Sequence, residues 1–120
     1  MNMLLTNVYS TIGMKKYIAI DDFVPAVNDY NKLINPTKTN WSPTQEVVTG
    51  PIRVFYEALW MDEDNTIEFD VGAAGKALTM SQLLFAINNA TCDFFKNADK
   101  HFFEGLVRIN NAKYELMVGS

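Results

Sequence analysis

The sequence predicts an α+β fold in which one amphipathic central helix, with one or two further helices, packs on a small, mostly antiparallel sheet that ends in a C-terminal hairpin. Three observations predict it. Met80, Leu83, Leu84, Ile87, Thr91 and Phe94 recur at three- and four-residue spacing, which places them on one stripe of a helix over Met80 to Phe95. Thr66 to Val71 alternates Ile67, Phe69 and Val71 with Thr66, Glu68 and Asp70, the two-residue period of a strand with one buried face. Near the end, Leu106 to Ile109 and Tyr114 to Val118 are strand-like runs joined by Asn110-Asn111-Ala112-Lys113, a stretch rich in turn formers, so 105–118 reads as an antiparallel hairpin.

A chain of 120 residues fits one globular domain over 1–120, and such a domain buries roughly two thirds of the surface its unfolded chain exposes. Hydrophobic residues make up 48%, with eight Phe, five Tyr and two Trp, enough to build a packed core and to exclude a disordered chain. The net charge is −4, and beyond Lys15-Lys16 there is no basic cluster, so direct binding to nucleic-acid phosphates has little electrostatic support. A basic protein partner suits this charge better than an acidic one. The single Cys92 can form no internal disulfide, which fits a reducing, intracellular compartment such as cytoplasm or nucleus. Met1-Asn2-Met3-Leu4-Leu5 is too short to be the apolar region of a secretion signal, and no run of about 18 apolar residues exists to cross a membrane.

Taken in order, residues 1–14 mix Leu4, Leu5, Val8, Tyr9 and Ile12 with polar residues, as a frayed tail or an edge segment would. Tyr17, Ile18 and Ile20 favour a short strand over Lys15 to Ile20, stopping at Asp21-Asp22. A helix over 22–34 follows, capped by Asp22, with Pro25 in its first turn and Phe23, Val27, Tyr30 and Ile34 on one face. Residues 35–50 read as a long polar loop in which Trp41 is a plug docked on the core or a partner-binding anchor. Pro51 to Met61 fits two periods. Pro51 at a first helical position and the Arg53/Glu57 spacing favour a helix, while Ile52, Val54, Tyr56, Ala58 and Trp60 also fit a strand paired with 66–71 through the turn Asp62-Glu63-Asp64-Asn65. Gly72 to Ala77 is a loop, Thr79 and Gln82 form a capping box for the central helix, and Lys96 to Lys100 is a polar connector.

The residues that could carry chemistry each have a plain structural reading. The Gly72-to-Lys76 loop has two residues between its glycines where a phosphate-binding loop needs four, and Ala77 where that loop needs Ser or Thr. Asp62, Glu63 and Asp64 could attract calcium, yet Ile67 and Ala73 occupy the places where a calcium loop carries Gly and Glu. The neighbours Asp21 and Asp22 would point to opposite faces of a strand, so capping explains them better than acid–base work. Cys92 and His101 would need mutual contact and an orienting third group to make a nucleophile pair.

The runs Leu78-Thr79-Met80-Ser81-Gln82-Leu83-Leu84-Phe85-Ala86-Ile87, Phe102-Phe103-Glu104-Gly105-Leu106-Val107-Arg108-Ile109 and Tyr114-Glu115-Leu116 resemble a family of uncharacterised domains found in fungi, with relatives in large DNA viruses. The resemblance covers about 66–120. It implies strand, loop, amphipathic helix and closing strands, and it brings no activity or catalytic residues with it. In that family a longer insertion follows the helix, where this chain has only Asp93 to Lys100.

The expectation for function is a non-catalytic protein–protein interaction module that self-associates as a homo-oligomer and takes a basic protein partner. Its candidate contact residues are Trp41, Trp60, Phe102 and Phe103, with no catalytic, cofactor-binding or metal-ligating residue assigned. One alternative is a small structural, virion-associated protein. Another is a small-ligand or enzymatic site in which His101, Cys92, Asp70 and Lys76 meet around the 72–78 loop.

Overall fold

The computed structural model describes residues 3–60 and 65–120. In chain order its elements are β1 (Met3–Leu4), α1 (Ile20–Ile34), β2 (Glu46–Thr49), β3 (Ile52–Glu57), β4 (Thr66–Val71), β5 (Ala77–Thr79), α2 (Met80–Phe95), β6 (Phe102–Asn110) and β7 (Lys113–Gly119). Among the described residues this is a mixed α+β fold. The sheet of five strands has the order β1-β6-β7-β3-β4, antiparallel except for the parallel pair β3/β7, and β2 and β5 form a second, two-stranded sheet.

The elements with a strong local signature lie where the sequence puts them. In α2 the Thr79 hydroxyl accepts from the Gln82 amide while the Gln82 side chain accepts from the Thr79 amide, which satisfies two of the donors a helix start leaves open. Met80, Leu83, Leu84, Ile87 and Thr91 are buried as their spacing requires. At the last turn Phe95 is the buried ring and Phe94 is half-buried, because 91→95 continues the four-residue step of the stripe. The strand 66–71 and the C-terminal hairpin also stand, the latter with register shifts near Glu104 and Ile109.

Four expectations need correction. The stretch from Pro51 is not a helix: Ile52–Glu57 is a strand, and Met61 at the end of the expected span lies outside the described residues. Ile52 and Val54 are buried on one side and β3 is flanked by β4 and β7, so both edges of its backbone are used in ladders. Arg53 accordingly reaches across to Asp70 and Glu68 instead of along the chain to Glu57. Lys15 to Ile20 is not a strand. The Tyr17 amide donates to the Asn89 side chain, whose own amide donates to the Tyr17 carbonyl, and Asn88 donates to the Lys15 carbonyl, so side chains of α2 take the place of a ladder. Helix α1 starts at Ile20, ahead of Asp22, and Ala19 caps it without a side-chain hydrogen bond. Asp21 and Asp22 then lie in its first turn, where the helix dipole favours them, and its buried face runs Phe23, Val27, Asn31 instead of ending on Tyr30 and Ile34. The loop 35–50 ends in β2, and Ala77 belongs to β5, because the two short strands pair. The turn residues Asp62, Glu63 and Asp64 lie outside the described residues.

The N-terminal residues form an edge segment. β1 pairs with β6, Thr11 bridges Phe102, and Leu5, Val8 and Ile12 enter the core. Asn31 locks this segment to α1: its side chain accepts from the Tyr9 amide and donates to the carbonyls of Tyr9 and Val27. Gly13, at φ +75°, lies so close to α2 that a Cβ there would meet the Phe95 Cβ at 2.7 Å.

Candidate interaction surface

The aromatic residues singled out by the sequence occupy four different settings. Trp41 is half-buried against the core and its indole N–H donates to the Asn28 side chain, which makes it a plug. Trp60 is 40% exposed and donates to the Tyr56 hydroxyl at 2.7 Å. Phe102 is 47% exposed, but Phe103 is 5% exposed and sits in the core, since neighbours on a strand face opposite ways. Phe103 therefore has no accessible face to offer a partner. Phe102 lines a groove of about 410 Å³ with Tyr9, Tyr30, Ile34 and Glu104.

The four residues of the ligand-site alternative have separate environments. Cys92 is buried on α2. The His101 Nδ1 is 2.9 Å from the Ile12 carbonyl oxygen. Asp70 is gripped by Arg53, and Lys76 is exposed in the turn before β5. Among the described residues no group of three or more His, Cys, Asp or Glu is placed to hold a metal ion, and no helix is long and apolar enough to cross a membrane.

The five-stranded sheet has two unlike faces. Ile52, Val54, Val71, Leu106, Tyr114 and Leu116 share one core with Leu83, Leu84 and Ile87 of α2 and with Phe23 and Val27 of α1, so both helices bury their stripes on that side. Alternate residues project from the other side. On its β1-β6-β7 half the apolar ones are Met3, Val107 and Met117, with Glu115 bordering them toward β3: Met3 and Glu115 flank Val107 on either side, and Met117 is opposite Gly105. Met3 is 38% and Met117 36% exposed, and the Met3 Cε lies 3.5 Å from where a side chain on Gly105 would begin.

The β3-β4 half of the same face is ionic. Arg53 donates from Nε and Nη2 to the two oxygens of Asp70 at 3.0 and 3.2 Å, and from Nη1 to Glu68 at 2.8 Å. Lys113 stands 3.4 Å from the other Glu68 oxygen and 4.8 Å from the centroid of the Phe55 ring. The hydrogen bond from Arg53 holds the Glu68 carboxyl below its usual range, helped by Lys113 and opposed by partial desolvation.

Among the described residues the sheet ends at β4. The Ala58 amide donates to the Asn65 carbonyl at 2.8 Å, and the β3/β4 register continues from that pair without a shift. Alternation then turns the backbone groups of Ile67, Phe69 and Val71 toward β3 and those of Thr66, Glu68 and Asp70 away from it. Among the described residues nothing takes up those outward groups.

The apolar patch and the open edge were not singled out in the sequence. Met117 does alternate with Leu116 and Val118, but Met3, Val107 and Met117 come from three separate strands and only the register unites them. No family model matches the chain, and neither a curated protein nor a solved structure matches it. Among the described residues, fold and surface define a two-layer α+β arrangement in which both helices pack on one side of the five-stranded sheet.

Proposed function

We propose that the protein is a non-catalytic protein–protein interaction module that self-associates through the uncovered face of its five-stranded sheet. The observation that carries this reading is the patch of Met3, Val107 and Met117 on the side of the sheet away from both helices. Around a two-fold axis through that patch, the apolar halves of two copies stack and the ionic half around Arg53, Glu68 and Asp70 falls at the periphery, which is the apolar-centre, polar-rim anatomy of protein interfaces. Two methionines at the centre suit such a contact, because their unbranched side chains adapt to an opposing surface.

The test is the mass in solution after size separation, measured over a wide concentration range. The expected species is a multiple of the 13.6 kDa chain, returning to a single chain on Met117→Lys, with the melting temperature kept when both proteins are compared at a concentration where each is a single chain. A wild-type protein that stays at one chain throughout the range overturns the reading.

A further inference from the structure

We infer that the open edge of β4 is a docking strand for an extended segment of a basic protein, one that alternates Lys or Arg with apolar residues and adds to the sheet beside Thr66–Val71. This rests on the reading of the protein as an interaction module but uses the rim of the sheet, not its face.

Backbone, charge and packing each specify the occupant. Thr66, Glu68 and Asp70 each present one amide and one carbonyl outward, the template on which an extended peptide forms main-chain hydrogen bonds. Among the described residues β4 has no proline, no lysine and no bulge in its register, and the edge charges it does carry, Glu68 and Asp70, repel a like-charged strand and not a basic one. On the outer face, a residue of the incoming strand opposite Glu68 or Asp70 meets a carboxylate. Arg53 on β3 and Lys113 on β7 reach these carboxylates from the inner strands of the sheet, and a carboxylate's two oxygens can accept more hydrogen bonds than these cations supply. The face around them carries four carboxylates, Glu57, Glu68, Asp70 and Glu115, against the two cations Arg53 and Lys113. A cation opposite Glu68 or Asp70 is therefore favoured and an anion disfavoured. On the inner face Ile67 and Phe69 are half-buried on a strand that, among the described residues, has no neighbour on its outer side, so apolar side chains at the alternate positions complete their cover.

The same charges exclude the nearest competitor, a second copy of this strand. In the antiparallel register that sets Thr66 opposite Asp70, and so pairs the outward-facing residues with one another, Glu68 would stand opposite its own counterpart, and like charges directly opposed on a sheet are destabilising.

The experiment titrates the full chain with a short, end-blocked peptide of alternating Lys and Val, and with a control peptide of alternating Glu and Val, following backbone amide signals and their hydrogen exchange. The expected result is a saturable shift centred on Thr66, Glu68 and Asp70, with slowed exchange of those amides, for the Lys/Val peptide alone. Slowed exchange separates strand addition from loose adsorption of a cation on an acidic surface. Glu68→Gln, which removes only the charge, weakens binding about two- to fivefold. Glu68→Pro deletes an outward amide while sparing the bonds to β3, and it abolishes binding. No saturable response at those amides in the wild-type protein, an equal response to the Glu/Val peptide, or binding unchanged by Glu68→Pro each overturns the inference. Masses of the same samples keep the two readings apart. Loss of peptide binding with self-association intact sinks the edge alone, and a single-chain mass with peptide binding intact sinks the face alone.

Discussion

On the inner side of the sheet, Val54, Leu106 and Leu116 lie fully covered by Leu83, Leu84 and Ile87, while one residue further along the same strands Phe55, Val107 and Met117 project from the side without helices. Both faces contain large apolar side chains, so hydrophobicity alone does not say which one is the core. The helix stripe decides it. α2 offers a continuous apolar surface along its length, and only the face with an unbroken apolar set, Ile52, Val54, Val71, Leu106 and Leu116, matches it. The other face splits into an apolar half and an ion-paired half, a pattern that burial under a helix would penalise and that an interface with a wet rim tolerates.

Substitutions can break or sharpen this contrast. Leu84→Ala, under the sheet, should lower stability by about 2–5 kcal/mol in denaturant unfolding, since it leaves a cavity that a packed core refills only partly. Asn31→Ala should cost about 1–3 kcal/mol by the same measurement, because the Tyr9 amide and the Tyr9 carbonyl lose their partner inside the protein. Thr79→Ala should cost about 1 kcal/mol as the α2 cap is lost. On the outer face the effects should be smaller. Met117→Lys should stay within about 0.5 kcal/mol when unfolding is followed at a concentration where the protein is a single chain. A loss there as large as that of Leu84→Ala would show that the two faces are not energetically distinct.

Acid gives the mildest contrast. Because Arg53 depresses the Glu68 carboxyl in the folded protein, its contribution is present in full above the ordinary carboxyl value of 4.5 and is lost as pH falls through the lower folded value. The stability difference between wild type and Glu68→Gln should therefore be level above that range and vanish toward stronger acid, with a small amplitude because the pair is solvent-screened. A difference that grows as pH falls would contradict the direction of the shift.

Elements whose cause is local were legible in the sequence. The capping box, the α2 stripe, the alternation of 66–71 and the 105–118 hairpin are all set by residues a few positions apart. Residues 15–17 were not, because what satisfies their backbone is Asn88 and Asn89, some seventy positions away. Ile52 to Glu57 was ambiguous because its aliphatic and aromatic residues satisfy both the helix and the strand period, and the choice fell to ladders with β4 and β7. The candidate surface was the least legible. Exposed Phe102 and Trp60 could be named from their residue type, whereas the Met3, Val107 and Met117 patch and the outward amides of β4 exist only once the register is known.

The parallel seam between β3 and β7 has a kinetic consequence. Arg53 meets Lys113 there, about sixty positions along the chain, and the contact joins the β3-β4 hairpin to the β6-β7 hairpin. A growing polypeptide that has left the ribosome through α2 still holds β3 with one side bare, so assembly waits for the final strand. Closure over such a separation is entropically demanding, and folding should be slower than for a helical bundle of this size.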